Sequence, residues 1–122
     1  MTIARAYLDA ATSAAELLDD PAVAASWNVP SALREFTVSG LAGHLARQIF
    51  QVSRVLAQDP PDEQPITLLE HYMGSRWLAA DFDDEVNLRI RRDGENEAAD
   101  GPAAVLRALS RAERAPATIA AI

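Results

Sequence analysis

The spacing of apolar residues predicts two long helices in the first half of the chain. Over residues 2–19, apolar side chains recur every three or four positions and form one stripe, made by Ile3, Tyr7, Ala10, Ala14 and Leu17. Over residues 38–57, a second stripe has the same period and consists of Leu41, Leu45, Ile49, Val52 and Leu56. Thr37 precedes the second helix as an N-cap, because its hydroxyl can accept a hydrogen bond from a free backbone N–H.

A third helix is predicted from Thr67, which forms a capping box with Glu70. We expect this helix to end near Ala80. Its predicted apolar face consists of Leu69, Tyr72, Met73 and Trp77.

A last helix is predicted from Pro102, since proline is favoured at the first position of a helix. Its pattern stops before Pro116, and the predicted inward side chains are Val105, Leu106 and Leu109. Residues 81–101 are acidic, and their apolar positions alternate with polar ones at Val86, Leu88 and Ile90. This alternation predicts a short extended stretch against the bundle rather than a helix.

The prolines and the chain length predict the fold class. All seven prolines lie between the predicted helices, where they do not break a helix. A chain of 122 residues suits one domain, and 49% of the residues are apolar, enough for a core. We expect an all-α fold, an antiparallel helix bundle.

Charge and cysteine content exclude several function classes. The net charge is −7, and all 11 basic residues are arginines scattered along the chain, which argues against binding to nucleic acid or anionic membranes. The chain has no cysteine, which excludes disulfides and thiolate metal sites. No apolar run approaches the roughly 20 residues of a membrane span, and the first residues are too acidic for a signal peptide. We therefore expect a cytoplasmic protein.

His44 is the residue most suggestive of chemistry. It lies at the edge of the apolar stripe, with Gly40 and Gly43 beside it, and Gln48 and Gln51 follow on the same edge. An imidazole lies over the preceding turn of its helix, so a neutral ring here is placed to bind a metal or a water inside the bundle. The alternative is a structural histidine that bonds a backbone carbonyl, with glycines that admit a neighbouring helix. Spacing alone favours this alternative, because a metal site normally needs three protein ligands.

Other candidate residues favour structural roles. His71 follows Glu70 on the predicted third helix, and its distance from His44 in the sequence fits no short metal motif. The acids from Asp81 to Glu85 lack the glycine of a calcium-binding EF-hand loop and indicate a solvated loop. Trp27 and Trp77 are expected to anchor the core. No catalytic residue can be assigned.

The region around His44 resembles the N-terminal metal-binding domain of mycothiol-dependent maleylpyruvate isomerases, within the DinB-like superfamily. The resemblance is carried by Trp27, Pro30-Ser31-Ala32-Leu33 and Thr37-Val38-Ser39-Gly40-Leu41-Ala42-Gly43-His44-Leu45-Ala46-Arg47. The segments Trp77-Leu78, Arg91-Arg92 and Asp100-Gly101-Pro102 are similar to those of actinobacterial members.

The resemblance implies a DinB-like four-helix bundle and a divalent metal, zinc or else nickel, with His44 as its first ligand. It also implies mycothiol, a small-molecule thiol, and an electrophilic substrate for isomerisation or S-transfer. A metal lowers the pKa of a bound thiol or water and so supplies a nucleophile at neutral pH.

The chain departs from the family in the other metal ligands. The family takes a glutamate and a histidine from its final helix, whereas residues 115–122 contain no acid and no histidine. We therefore expect residues 1–122 to form a single metal-binding helical domain of this type, truncated after the helix that starts near residue 102. Alternatively, a second chain completes the site, or the metal function is lost.

Uncovered apolar faces would favour a homodimer. The alternative function is a non-catalytic helical bundle that acts through self-association or partner binding, and a third reading is a degenerate gene product.

Overall fold

Helices dominate the structure. The computed structural model describes residues 2–113. The described chain forms six α-helices: α1 (Ile3–Asp19), α2 (Pro21–Ala25), α3 (Val38–Leu56), α4 (Leu68–Gly74), α5 (Glu85–Glu97) and α6 (Pro102–Glu113). Over the same residues there is no β-strand, only an isolated bridge between Pro30 and Thr37. The predicted all-α class is therefore confirmed. The predicted stop before Pro116 lies outside the described residues.

Helix caps occur where the sequence predicts them. The Thr37 hydroxyl accepts a hydrogen bond from the Gly40 backbone N–H at 3.1 Å and so begins α3. In the capping box of α4, the Glu70 N–H donates to the Thr67 hydroxyl at 3.2 Å, and the Thr67 N–H donates to the Glu70 carboxylate at 2.7 Å. These bonds satisfy backbone donors that have no partner inside the helix.

The core is built mainly from small residues of α1, α3 and α6. Its buried apolar side chains are Ala11, Leu18, Ala42, Ala46, Ile49, Ala98, Val105 and Leu109. The inward positions predicted for α6 are confirmed, since Val105 and Leu109 are buried and Leu106 packs against them. Because half of these core residues are alanines, the helix backbones can approach one another closely.

The stripe predicted for α1 is wrong at both ends. Ile3 is 89% exposed and Leu17 is 60% exposed, while Ala11 and Leu18 are the buried residues of this helix. Leu17 and Leu18 are adjacent, so the spacing of apolar residues alone is compatible with burial of either one. Packing of α1 against α3 and α6 selects Leu18.

The extended stretch predicted within residues 81–101 is a helix, α5. Its inward side is Val86, Ile90, Gly94 and then Ala98, at a spacing of four that is typical of a helix. Leu88, which suggested a period of two, is 38% exposed and lies on the outer side. Val86 and Ile90 fit both the period of two of a strand and the spacing of four of a helix, so the alternation wrongly predicted an extended stretch.

Two further predictions about short elements are wrong. The third predicted helix does not reach Ala80, because α4 ends at Gly74 and the backbone is extended at Ser75. No residue of α4 is buried, so its predicted apolar face does not pack on the core. Helix α2 was not predicted. It begins at Pro21, and the Asp20 carboxylate caps it by accepting a hydrogen bond from the Ala22 N–H at 2.8 Å.

The closest helix contact is between α3 and α5. A Cβ added to Gly43 would overlap the Gly94 carbonyl oxygen, and one added to Gly94 would lie 2.5 Å from the Gly40 carbonyl oxygen. The space that the missing side chain of Gly40 leaves is occupied by Thr37, Glu95 and Phe36, so it is not available to the His44 imidazole. These glycines therefore admit a neighbouring helix, as the structural alternative proposed.

Over the described residues, no helix combines the length and the apolar character that crossing a bilayer would require.

We expect Gly43→Ala to lower the free energy of unfolding by about 2 kcal/mol, because overpacking outweighs the roughly 1 kcal/mol that alanine gains over glycine in a helix. Gly74→Ala is the matched control, since nothing lies within 4 Å of its added Cβ. Urea denaturation of both variants measures the difference. Equal stability of the two variants would contradict the α3–α5 contact.

Candidate ligand-binding cleft

A cleft of about 800 Å³ lies beside His44, between α3, α5 and the two segments that flank them. Its apolar wall comes mainly from the connecting segments and the first half of α5: Leu33, Phe36, Trp77, Leu78, Ala80, Phe82, Val86 and Ile90. Its polar groups come from α3 and α5: His44, Arg47, Gln48, Gln51, Asn87, Arg89, Arg91 and Asp93. Size and lining are typical of a small-molecule site.

The segment before α3 places Phe36 against His44. The Ser31 N–H donates to the Phe36 carbonyl at 2.8 Å, and the Phe36 N–H donates to the Leu33 carbonyl at 3.1 Å. Glu35 has a φ of 67°, the left-handed conformation that closes this turn. As a result, the Phe36 ring meets the His44 imidazole edge to face, with centroids 5.9 Å apart.

His44 is held neutral by its surroundings. Burial lowers the pKa of its imidazole below the ordinary value of 6.5, and the nearby Arg47 cation lowers that pKa further. Within residues 2–113, neither ring nitrogen has a hydrogen-bond partner, so the carbonyl-bonded structural histidine is not what the structure shows. The ring can therefore offer one donor and one acceptor to a ligand.

An ion-pair network joins α3 to α5 beside the cleft. The Arg47 guanidinium lies 3.4 Å from the Asp93 carboxylate and 3.4 Å from the Glu97 carboxylate. Arg54, two turns further along α3, pairs with the same Glu97 at 3.3 Å. The charge of Arg47 is thus balanced by two acids.

Arg91 differs from Arg47 in how its charge is paired. Its side chain is only 14% exposed, and its Nη1 atom is buried without a hydrogen-bond partner among the described residues. Its Nη2 atom lies 4.0 Å from the Asp83 carboxylate, whose side chain is 95% exposed. Arg91 therefore brings a poorly compensated cation to the cleft.

The structure brings together some of the residues singled out in the sequence. His44, Gln48 and Gln51 line the same cleft, as their shared helix edge predicted. His71 lies on the exposed helix α4 against Tyr72 and does not line this cleft. Trp27 packs against the core as predicted.

The prediction that Trp77 anchors the core is wrong. Its side chain is 43% exposed and forms part of the cleft wall. Because α4 stops at Gly74, Trp77 lies in the connection to α5 rather than on a packed helix face.

Sequence reasoning missed Phe36, Ile90 and Arg91 as members of the site. The spacing of four from Val86 to Ile90 and Gly94 was the available signal, since it places Ile90 and its neighbour Arg91 on the inner side of a helix. No pattern in the sequence indicates that Phe36 meets His44, because a left-handed residue sets the turn.

The described residues do not fit the metal site that the family resemblance implies. Residues 2–113 contain no group of three or more histidines, aspartates or glutamates arranged to hold a metal ion. His44 would be a single ligand, whereas zinc sites use three or four protein ligands. Metal ligation by His44 stays a prediction of the resemblance.

Comparison with known proteins leaves the family open. No protein-family model matches the sequence, and neither the curated proteins nor the solved structures include a significant match. Assignment to the DinB-like superfamily therefore stays a prediction from the residues around His44.

His44 should make stability depend on pH. Its lowered pKa means that the unfolded chain binds more protons near pH 6 than the folded chain does. This penalty is absent above about pH 6.5, and it grows as the pH falls toward the folded-state pKa. From about pH 7 to pH 5, wild type should lose more stability than His44→Gln, measured by urea denaturation.

The matched control is His71→Gln, which changes the exposed histidine of α4. Parallel stability curves for wild type and His44→Gln would show that the imidazole is not desolvated in the folded protein.

Proposed function

We propose that this helical domain binds a small organic molecule in the cleft beside His44. The observation that carries the proposal is the composition of the cleft, in which eight apolar residues surround a neutral imidazole and a few amide and guanidinium groups. Apolar walls supply affinity by burying ligand surface, and a few fixed polar groups set the ligand's orientation.

The polar groups have distinct tasks in this proposal. His44, whose ring contacts Phe36 in the cleft lining, donates a hydrogen bond to the ligand or accepts one from it. The Asn87 side chain is held by its donation to the Asp81 carbonyl at 2.8 Å, which fixes its carbonyl oxygen as an acceptor. Phe36 and Ile90 are half-buried beside these groups, and a ligand packed against them would shield the hydrogen bonds from water.

The family resemblance supports a small-molecule function for this region. The metal- and mycothiol-dependent isomerase or S-transferase reaction is a further prediction of that resemblance, in which His44 would be one of the metal ligands. We therefore include no metal-dependent step and name no catalytic residue.

Self-association is the second candidate function, and one surface favours it. Four apolar residues at and before α4 are between 65% and 78% exposed: Ile66, Leu68, Leu69 and Met73. An exposed apolar patch of this kind marks interaction surfaces in soluble proteins. We call these four residues the α4 surface.

A backbone amide NMR titration separates the two candidates. Uncharged 2-naphthamide is added to the ¹⁵N-labelled full chain at low protein concentration. We expect changes at Phe36, at the Trp77 indole N–H and at Ile90, because an aromatic ring fits the apolar wall. Ala80→Trp, which fills the cleft, should abolish these changes, whereas Ala99→Trp, at an exposed turn, should not.

Absence of changes at the cleft, or changes that survive Ala80→Trp, would contradict the proposal. Without the probe, shifts that depend on protein concentration and cluster at the α4 surface would support self-association. Spectra independent of concentration would count against that second function.

A further inference from the structure

We propose that the ligand of this cleft is an organic carboxylate with a flat apolar body, and that Arg91 binds its carboxylate. This inference rests on the function proposed above and adds the chemical class of the ligand. Three features carry it: the charge of the cleft, the state of each arginine, and the apolar wall.

The cleft has the opposite charge to the chain. The whole protein carries a net charge of −7, yet among residues 2–113 three arginines and one acid line the cleft. Since Arg47 is balanced by Asp93 and Glu97, the excess positive charge comes from Arg89 and Arg91. A concave site of one sign within a protein of the other sign attracts ligands that complement the site. The complementary ligand here is an anion.

The arginines differ in how far their charges are already satisfied. Arg47 pairs with Asp93 and Glu97, so it has little capacity left for a ligand. Arg89 is exposed, and water screens its charge. Arg91 has a largely buried guanidinium; within the part of the chain that the structure describes, its Nη1 lacks an acceptor and its ion-pair partner, Asp83, is 4.0 Å away.

A buried guanidinium without a close counter-charge is unfavourable by itself. Nη1 is closed to solvent, so a ligand in the cleft would bind the guanidinium through Nε and Nη2, and an anion bound there also neutralises the charge. Among anions, a carboxylate matches the planar guanidinium with two parallel hydrogen bonds. Arg91 lies on α5 directly after Ile90, so an acid bound there has its remaining atoms next to the apolar wall.

The wall defines the rest of the ligand. Phe36, Trp77, Phe82 and Ile90 present two kinds of surface, aromatic rings and a branched aliphatic chain, both of which suit a flat apolar body. Arg34 already stacks on the Phe82 ring at 5.0 Å, so Phe36 and Trp77 are the rings left for the ligand. A volume of about 800 Å³ accommodates a body of two or more rings.

The test compares 2-naphthoate with uncharged 2-naphthamide, which has nearly the same shape, by NMR titration and calorimetry. We expect wild type to bind the acid at least about tenfold more tightly, because hydrogen bonds from the guanidinium to a carboxylate are charge-assisted and those to an amide carbonyl lack the second charge. Arg91→Gln should bring the ratio of the two affinities to about one while the amide still binds. Arg92→Gln, which removes an exposed arginine paired with Glu85, should keep the wild-type ratio.

A measurement on the wild-type protein tests the inference even if Arg91→Gln does not fold. In the arginine Nε spectrum, 2-naphthoate should shift the signal of Arg91 more than 2-naphthamide does, and both probes should leave the signal of Arg92 in place. Equal affinities for the two probes in wild type, or a ratio unchanged by Arg91→Gln, would overturn the carboxylate inference and leave the binding function intact. Failure of both probes to bind the cleft would overturn both.

Discussion

The approach of α3 to α5 through Gly43 and Gly94 determines the rest of the site. The two backbones meet so closely that a single Cβ at either glycine would overlap the opposite helix. The same contact places the backbone of His44 next to Gly94, 3.2 Å from the position of an added Cβ. Along α3 the cleft residues begin with His44, directly after Gly43, and along α5 they end with Asp93, directly before Gly94.

Electrostatics follows from the same arrangement. Because α5 lies against α3, Asp93 and Glu97 reach Arg47, and the charges next to His44 are largely balanced. Arg91, also on α5, has no comparable partner among residues 2–113. The cleft therefore combines a neutral imidazole, a satisfied arginine and an unsatisfied one, although the chain as a whole is acidic. Each of these states results from helix packing rather than from local sequence.

The sequence was sufficient for features that depend on local bonds and strong periodicity. The caps at Thr37 and Thr67, the length of α3 and the inner side of α6 all follow from such signals. It was insufficient where two patterns share residues, as at Leu17 and Leu18 or at Val86 and Ile90, since tertiary packing decides between them. Gly40 and Gly43 lie next to His44 in the sequence and were noted for that reason. Their packing partner, Gly94, was not, because it lies on α5, a helix predicted to be an extended stretch. His44 was found because of its setting, whereas Arg91 was missed because the spacing of four that places it on the inner side of α5 was interpreted as alternation.

The most direct test is an NMR measurement of the α3–α5 contact in the wild-type protein, with glycine labelled by ¹³C at Cα. The close approach predicts nuclear Overhauser effects from the Hα protons of Gly94 to the amide proton of His44 and to the Hα protons of Gly43. Their presence would establish the contact that forms the cleft. Their absence from a sample in which α3 and α5 both give helical chemical shifts would contradict the packing, and with it the site built on that packing.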